Sequence, residues 1–123
     1  MGATSQQTLG ALGETLAAGF LKKRGYKILR RNYECVFGEV DIIARDREEL
    51  VFVEVKSRGS LSMGVPVESV TPRKRAQIIK CAKFFLKRHV TQDVACRFDV
   101  VSVLFLPDGR SVIELIRGAF EEE

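Results

Sequence analysis

Tryptophan is absent from the 123-residue sequence, histidine occurs once, and the three cysteines lie far apart along the chain. Because no two cysteines form a Cys-x-x-Cys pair and one histidine cannot complete a ligand set, the composition argues against a structural zinc site. Free thiols in a reducing compartment are the simplest interpretation of Cys35, Cys81 and Cys96. The glycine-rich motifs that cradle nucleotide phosphates are also missing.

Long hydrophobic runs are missing as well. The longest apolar run, Val100–Leu106, is interrupted by Ser102 and is too short to cross a membrane. The polar N-terminal residues lack the basic-then-apolar order of a signal peptide. We therefore expect a cytoplasmic protein that has no membrane partner.

The rest of the composition is typical of one globular domain, because 46% of the residues are hydrophobic and 29% are charged. We predict a single domain over residues 1–123, with flexible tails at about 1–6 and 118–123. Basic residues outnumber acidic residues by 20 to 16, and 13 of the 20 fall within 20–33 and 71–90. These two segments contain no acid, which is compatible with a polyanionic partner.

Hydrophobic spacing predicts an α/β order of elements. Apolar residues at helical spacing predict an amphipathic helix over about 6–24. Thr71-Pro72 is typical of the start of a second helix, which we extend to about Arg88. β-rich runs bounded by turns predict five strands and one long loop. We place the strands at 26–32, 38–45, 50–57, 98–106 and 111–116, and the loop at 58–70.

The second and third predicted strands form a hairpin whose turn is centred on Arg47-Glu48. With this centre, the residue numbers of paired positions sum to 95. Asp41 then faces Glu54, and Glu39 faces Lys56. These four side chains share one face, because side chains alternate along a strand. The opposite face is entirely apolar and consists of Val40, Ile42, Ala44, Val51, Val53 and Val55.

Two carboxylates directly opposite each other in a ladder repel, so Asp41 and Glu54 need a compensating charge. Mg²⁺ prefers oxygen ligands and keeps several waters, so it suits two carboxylates together with substrate phosphate oxygens. Such an ion acidifies a water and stabilises charge on a phosphate, and Lys56 would orient that water or neutralise the developing charge. An isolated Glu-x-Lys is more often a salt-bridged strand end, but Asp41 and Glu39 on the same face favour the metal site.

Several short motifs occur in order between about residues 9 and 105. They are Gly13-Glu14, Gly25-Tyr26, Arg31-Asn32, Gly38-Glu-Val-Asp41, Val51-Phe-Val-Glu-Val-Lys-Ser-Arg58, Lys74 and Arg97-Phe-Asp99. In these motifs the sequence resembles the YraN family of small bacterial proteins. That family is assigned to the PD-(D/E)XK nuclease-like superfamily, which includes Holliday-junction resolvases. The resemblance implies a restriction-endonuclease-like α/β fold, with a central mixed β-sheet of about five strands flanked by α-helices.

The resemblance also implies roles for individual residues. Asp41, Glu54 and Lys56 stand at the catalytic D…(D/E)-x-K positions, and the two acids hold metal there. Glu14 matches the helix acid of resolvase-like members, although an exposed helix acid is the alternative for this residue. Glu39 matches the first acid of the family's Gly-Glu-(Ile/Val)-Asp motif, so Glu14 and Glu39 are candidates for a further metal ligand. The name-giving proline of the superfamily is absent before Asp41, as it is in many members.

We therefore expect an endonuclease that uses Mg²⁺, with Mn²⁺ as a substitute, to hydrolyse phosphodiester bonds in nucleic acid. DNA is the expected partner, with branched or repair and recombination intermediates as substrates. Scarce aromatic residues favour recognition of a duplex or junction backbone over stacking on single strands. The candidate nucleic-acid contacts are Arg31, Arg58, Arg73, Lys74, Lys80 and Lys83.

Two other functions stay open at this point. One is a nucleic-acid-binding scaffold in DNA processing that does not cleave, and the other is a protein-interaction adaptor. Metal binding separates the nuclease from both, and salt-dependent DNA binding separates the first two from the adaptor. A junction nuclease needs two sites and hence a homodimer, but the sequence specifies no interface.

Overall fold

The computed structural model describes residues 5–59 and 70–122, which form two α-helices and one five-stranded β-sheet. The predicted α/β fold, a central mixed sheet of five strands flanked by helices, is confirmed. In chain order the elements are α1 (Ser5–Lys23), β1 (Lys27–Cys35), β2 (Gly38–Asp46), β3 (Glu49–Gly59), α2 (Pro72–His89), β4 (Cys96–Phe105) and β5 (Ser111–Phe120).

The five strands lie in the sheet in the order in which they occur in the chain. β1, β2 and β3 are antiparallel neighbours, as are β4 and β5, whereas β3 and β4 pair in parallel. A parallel pair needs a long crossover connection, and here that connection contains α2. Of the predicted loop over 58–70, Arg58 and Gly59 end β3, and residues 60–69 lie outside the described residues.

Local sequence signals set the ends of both helices. Thr71 caps α2, because its hydroxyl oxygen accepts a hydrogen bond from the Lys74 N–H at 3.2 Å, and Pro72 is the first helical residue. Gly25 follows the end of α1 with φ +92°, a conformation that glycine adopts readily. Both ends agree with the sequence prediction.

Two hydrophobic cores cover the sheet, one beside each helix. Leu21 of α1 packs in the same cluster as Val51, whereas Phe85 of α2 packs in the same cluster as Phe52. Neighbouring residues of β3 thus face different helices, as alternation along a strand requires. Full burial of each such side chain contributes about 1.5–3 kcal/mol to stability. Within residues 5–59 and 70–122, no helix is both long and apolar enough to cross a membrane.

The β2–β3 hairpin has the predicted register near its turn. Five pairs, from the turn out to Ile42–Val53, have residue numbers that sum to 95. The ladder ends at that pair, so the direct pairing predicted further out is wrong. The two pairs that do not form in this ladder are Asp41 with Glu54 and Glu39 with Lys56.

A side chain replaces the strand partner where the ladder ends. The Val55 N–H donates a hydrogen bond to Asp41 Oδ2, with 2.8 Å between nitrogen and oxygen. β2 also loses its regular alternation here, because Val40 packs in the α2 core whereas Ile42 packs in the α1 core. The predicted apolar face is therefore wrong for Val40. At this point a carboxylate satisfies a backbone donor in place of the ladder.

The predicted C-terminal tail over 118–123 is wrong for Gly118–Phe120, which end β5. Phe120 is buried and stacks on Phe98, with 5.0 Å between ring centroids. The Gly118 N–H donates to Asp99 Oδ1 at 2.9 Å, so a tertiary contact carries the strand past a glycine. At the other end, α1 begins at Ser5 within the predicted tail, and residues 1–4 lie outside the described residues.

Candidate active site

An open cleft of about 480 Å³ lies where α1, the start of β2, the end of β3 and the first turn of α2 meet. Its charged side chains are four acids and three bases. They are Glu14, Glu39, Asp41, Glu54, Lys56, Arg58 and Lys74. The fold thus gathers all five residues predicted for metal binding or catalysis, together with two of the predicted nucleic-acid contacts.

Close packing of α1 against β3 forms one wall of the cleft. A Cβ added at Gly13 would overlap Ser57 Oγ and lie 3.0 Å from Ser57 Cβ. The next residue, Glu14, lines the cleft. The glycine therefore lets the helix approach the strand, and the acid beside it faces the site.

Glu54 is the buried acid of the cleft, with 7% of its surface exposed. Its Oε2 lies 3.9 Å from Lys74 Nζ, whereas no hydrogen-bond partner among the described residues reaches its Oε1. Burial, followed by the negative charge of Asp41, raises the pKa of Glu54 to about 8, and Lys74 and Lys56 oppose this rise. Near neutral pH the carboxyl therefore keeps a proton unless a cation compensates its charge.

Glu14 belongs to the same electrostatic group. Burial and then the charge of Asp41 raise the pKa of Glu14, while the nearby Arg31 lowers it and Glu39 adds a smaller rise. Arg31 also donates a long hydrogen bond of 3.4 Å to Thr15 Oγ1. The charge of Asp41 therefore disfavours ionisation of both Glu14 and Glu54.

The donor atoms of the cleft fit a hard divalent cation. Asp41 and Glu54 are neighbouring carboxylates, and the buried Oε1 of Glu54 lacks a partner. In the part of the chain that the structure describes, no three Asp, Glu, His or Cys side chains are arranged to hold a metal ion. Asp41 and Glu54 would therefore be the protein ligands, with waters and substrate oxygens completing the shell, as Mg²⁺ prefers. Glu14 and Glu39 line the cleft without completing a three-ligand group.

The predicted nucleic-acid contacts divide between the cleft and the exposed side of α2. Arg58 and Lys74 line the cleft, and Arg31 lies near enough to Glu14 to lower its pKa. These three bases surround the acids on more than one element.

The other three predicted contacts are exposed on α2. Arg73 precedes Lys74, whereas Lys80 and Lys83 lie roughly 9 and 14 Å further along the helix axis than Lys74. Lys83 forms an ion pair with Glu122, so its charge is partly neutralised within the chain. The structure therefore does not bring Lys80 and Lys83 into the cleft.

A second polar cluster lies beside the β2–β3 turn, and sequence reasoning assigned it no role. Asp99 is fully buried and accepts hydrogen bonds from Arg97 Nε at 2.9 Å and Tyr26 Oη at 3.0 Å. Arg97 also donates to Asp46 at 2.9 Å and Glu49 at 2.7 Å. Burial and then Asp99 raise the pKa of Tyr26 to about 12, so the hydroxyl stays a donor. An acid two residues after an arginine in an otherwise apolar strand is the signal that indicates such a cluster.

The fold and the cleft together define a small α/β protein whose single mixed sheet carries acids and a lysine at the start of β2 and the end of β3. The sequence model of "Uncharacterised protein family UPF0102" matches residues 13–103, so the chain belongs to this family. The predicted resemblance to the YraN family is thereby confirmed. The matched region contains all the charged residues of the cleft.

Full-length similarity to bacterial members of the family agrees with this assignment. A UPF0102 protein of Syntrophus aciditrophicus is 48% identical over 118 residues, which cover 96% of this chain and 92% of the relative. A UPF0102 protein of Geotalea daltonii is 47% identical over 98% of this chain and 94% of its own length. A Geobacter sulfurreducens protein, UPF0102 protein GSU0650, matches to the same extent.

Proposed function

We propose that this protein is a Mg²⁺-dependent nuclease that hydrolyses phosphodiester bonds in nucleic acid. The observation that carries the proposal is Glu54, a buried acid whose Oε1 has no partner among the described residues and which lies beside Asp41 in an open cleft. Burial of a carboxylate without compensation is costly. A divalent cation bound by Asp41 and Glu54 offsets that cost. Lys56 on the same cleft provides positive charge for a phosphate.

Each cleft residue then has its own task. Asp41, whose carboxylate is oriented by the Val55 N–H, and Glu54 hold the ion. When bound, Mg²⁺ would supply an acidified water and positive charge for the phosphate. Lys56, one alternation along β3 from Glu54, orients the attacking water or stabilises negative charge that develops on the phosphate. Lys74, 3.9 Å from Glu54, favours the ionised form that metal binding requires.

The proposed substrate is DNA, including branched repair or recombination intermediates, in keeping with the family resemblance. Basic side chains lie both in the cleft and along α2. There they would contact phosphates on either side of the bond that is cut. Cleavage of a junction requires two sites, so a homodimer is part of the proposal for that substrate. Mn²⁺ is expected to replace Mg²⁺, because it accepts the same oxygen ligands.

The test is cleavage of labelled duplex, single-stranded, flapped and four-way-junction DNA in Mg²⁺, Mn²⁺ or EDTA. We expect cleavage with either metal and none in EDTA. Glu54→Gln and Lys56→Ala should each lower the rate at least 100-fold, while Glu48→Gln, an exposed acid in the β2–β3 turn, should match wild type. Cleavage by Glu54→Gln at the wild-type rate would contradict the proposed site.

A scaffold that binds nucleic acid without cutting it is the second candidate. It is favoured by the lack of any three-ligand metal group in residues 5–59 and 70–122. Under this alternative, wild type cleaves no substrate with any metal but binds DNA with an affinity that falls steeply with salt. Calorimetric titration with Mg²⁺ separates the two candidates. Only the nuclease requires that wild type binds Mg²⁺ and that Glu54→Gln weakens this binding.

A further inference from the structure

An exposed apolar patch with a basic rim lies outside the candidate active site. We name it the hairpin patch; it forms where the β1–β2 turn crosses the C-terminal half of α2 and encloses about 710 Å³. Its apolar residues are Val36, Phe37 and Phe84, and its rim residues include Lys80, Lys87 and Arg88. None of the residues that line it is acidic.

The apolar side chains of the patch are unusually open to solvent. Val36 is 81% exposed and Phe37 is 46% exposed; both lie in the turn between β1 and β2. The ring of Phe37 meets Phe84 edge-on with 6.1 Å between centroids, and the Arg88 guanidinium lies 5.3 Å from the centroid of Phe84. The patch therefore presents aromatic surface next to cations that are held on a rigid helix.

The hairpin patch and the cleft meet at the start of β2, where Phe37 lines the patch and Glu39 lines the cleft. Gly38 has φ +133°, and a Cβ added there would overlap the side-chain amide of Gln77, so the turn packs directly on α2. The next residue, Glu39, lines the cleft. Only Gly38 separates Phe37 from Glu39, so the hairpin patch adjoins the cleft through the chain.

We infer that the hairpin patch binds unpaired nucleotides, with a base stacked on Phe37 and phosphates bound by Lys80, Lys87 and Arg88. Every base has a π-face that can stack on an aromatic ring, and flanking cations bind the backbone. This inference rests on the proposed nuclease function and specifies its substrate: nucleic acid with a single-stranded stretch next to the bond that is cut. The basic rim, which contains no acid, and the short step from Phe37 to Glu39 of the cleft favour this occupant over an apolar protein segment.

The decisive variants keep the fold and change only the exposed ring. Phe37→Ala removes the ring, whereas Phe37→Leu keeps an apolar side chain of similar bulk without a π-face. Both should weaken binding of a fluorescent single-stranded oligonucleotide about 5- to 100-fold and leave binding of a blunt duplex unchanged. Val112→Ala, a truncation at another exposed apolar side chain, is the matched control and should bind both as wild type does.

A direct readout of stacking is available because the chain contains no tryptophan. Phe37→Trp places the only indole of the protein at the hairpin tip. Titration with the single strand should quench its fluorescence and should preserve or raise the affinity. Titration with the duplex should leave the fluorescence unchanged.

Several results would overturn the inference. These are equal binding of the single strand by wild type, Phe37→Ala and Phe37→Leu, no binding of the single strand by wild type, or no quenching in Phe37→Trp. If Phe37→Ala instead abolishes self-association in sedimentation and leaves oligonucleotide binding unchanged, the patch is an interface between copies of the chain. The proposed nuclease is tested separately by Glu54→Gln, because Glu54 lines the cleft and Phe37 does not.

Discussion

At the scale of single residues, the cleft combines a buried acid, Glu54, with a neighbouring carboxylate, Asp41, whose charge raises the pKa of Glu54. Glu54 is buried and Asp41 is fixed by a backbone N–H, so neither can turn away from the other. A protein with uncharged side chains at these two positions would be more stable. The two acids therefore indicate a function that requires their charge. The metal-free protein should therefore carry a measurable penalty at this site.

The raised pKa of Glu54 predicts how stability depends on pH. Between pH 4.5 and about 8 the folded protein keeps a proton on Glu54 that the unfolded chain has lost, so stability falls as pH rises through this window. Glu54→Gln removes this dependence and should be more stable than wild type at pH 8 by about 2–4 kcal/mol, with the difference shrinking towards pH 4.5. Urea unfolding in EDTA from pH 5 to 8.5 measures the free energy of unfolding of both proteins. A constant difference between the two proteins across this pH range would contradict the raised pKa of Glu54.

Substitution of Asp41 separates its charge from its hydrogen bond. Asp41→Asn keeps an oxygen that can accept from the Val55 N–H and removes the charge next to Glu54, so it should raise the melting temperature of the metal-free protein. Asp41→Ala leaves the Val55 N–H without its acceptor and should cost about 1–3 kcal/mol. Thermal melts in EDTA test both. A loss of stability in Asp41→Asn would instead indicate a structural salt bridge.

Residue types, strand parity and the family resemblance together predicted the acids and the lysine of the cleft but not their contacts. Glu54 and Lys56 follow from alternation along β3, whereas Asp41 lies where β2 loses its alternation; the structure brings all three to one cleft. The Asp41 contact to the Val55 N–H could not be predicted, because a side chain that replaces a ladder bond leaves no periodic signal. The exposure of Phe37 was equally hidden, since composition counts aromatic residues and does not show where they lie.

At the scale of elements, the packing of α1 on β3 decides where Glu14 lies. Gly13→Ala should force the helix away from Ser57 and lower stability by about 1–2 kcal/mol, even though alanine is the better helix former. Gly19→Ala is the matched control, because a Cβ there meets nothing within 4 Å, and it should be neutral or stabilising. Urea unfolding measures both variants.

A second substitution distinguishes steric overlap from other effects of Gly13→Ala. Ser57→Gly removes both atoms that the new Cβ would meet, so it should recover part of the loss when it is combined with Gly13→Ala. Strictly additive effects of Gly13→Ala and Ser57→Gly would show that the two residues are not in steric contact.

The extents of the elements were predictable wherever local signals decide them. The capped start of α2 and the glycine after α1 are of this kind, and so is the register of the β2–β3 turn. The end of β5 was not predictable, because a glycine such as Gly118 is typical of a strand end. The strand continues because the Gly118 N–H donates a hydrogen bond to Asp99. Tertiary contacts of this sort override local propensity.

At the scale of the whole molecule, the Arg97 cluster joins β4 to the β2–β3 turn. Arg97→Met leaves Asp99 buried without its main cation and should cost about 3–5 kcal/mol. Arg45→Met, at an exposed arginine of β2, should change stability by less than about 0.5 kcal/mol. Urea unfolding at pH 7 compares the two; equal midpoints would mean that the cluster contributes little to stability.

The parallel pairing of β3 with β4 also bears on how the chain folds. The β1–β2–β3 meander and the β4–β5 hairpin each form from neighbouring stretches of sequence, whereas the β3–β4 pairs join residues as distant as Leu50 and Cys96. Closing that connection costs chain entropy before any β3–β4 contact forms. We therefore expect the β1–β2–β3 meander and the β4–β5 hairpin to dock late in folding. Arg97 spans this junction, and stopped-flow refolding of Arg97→Met should show faster unfolding with little change in the folding rate. The cleft, by contrast, takes Asp41 and Glu54 from the early-forming meander, so its acids meet before the domain is complete.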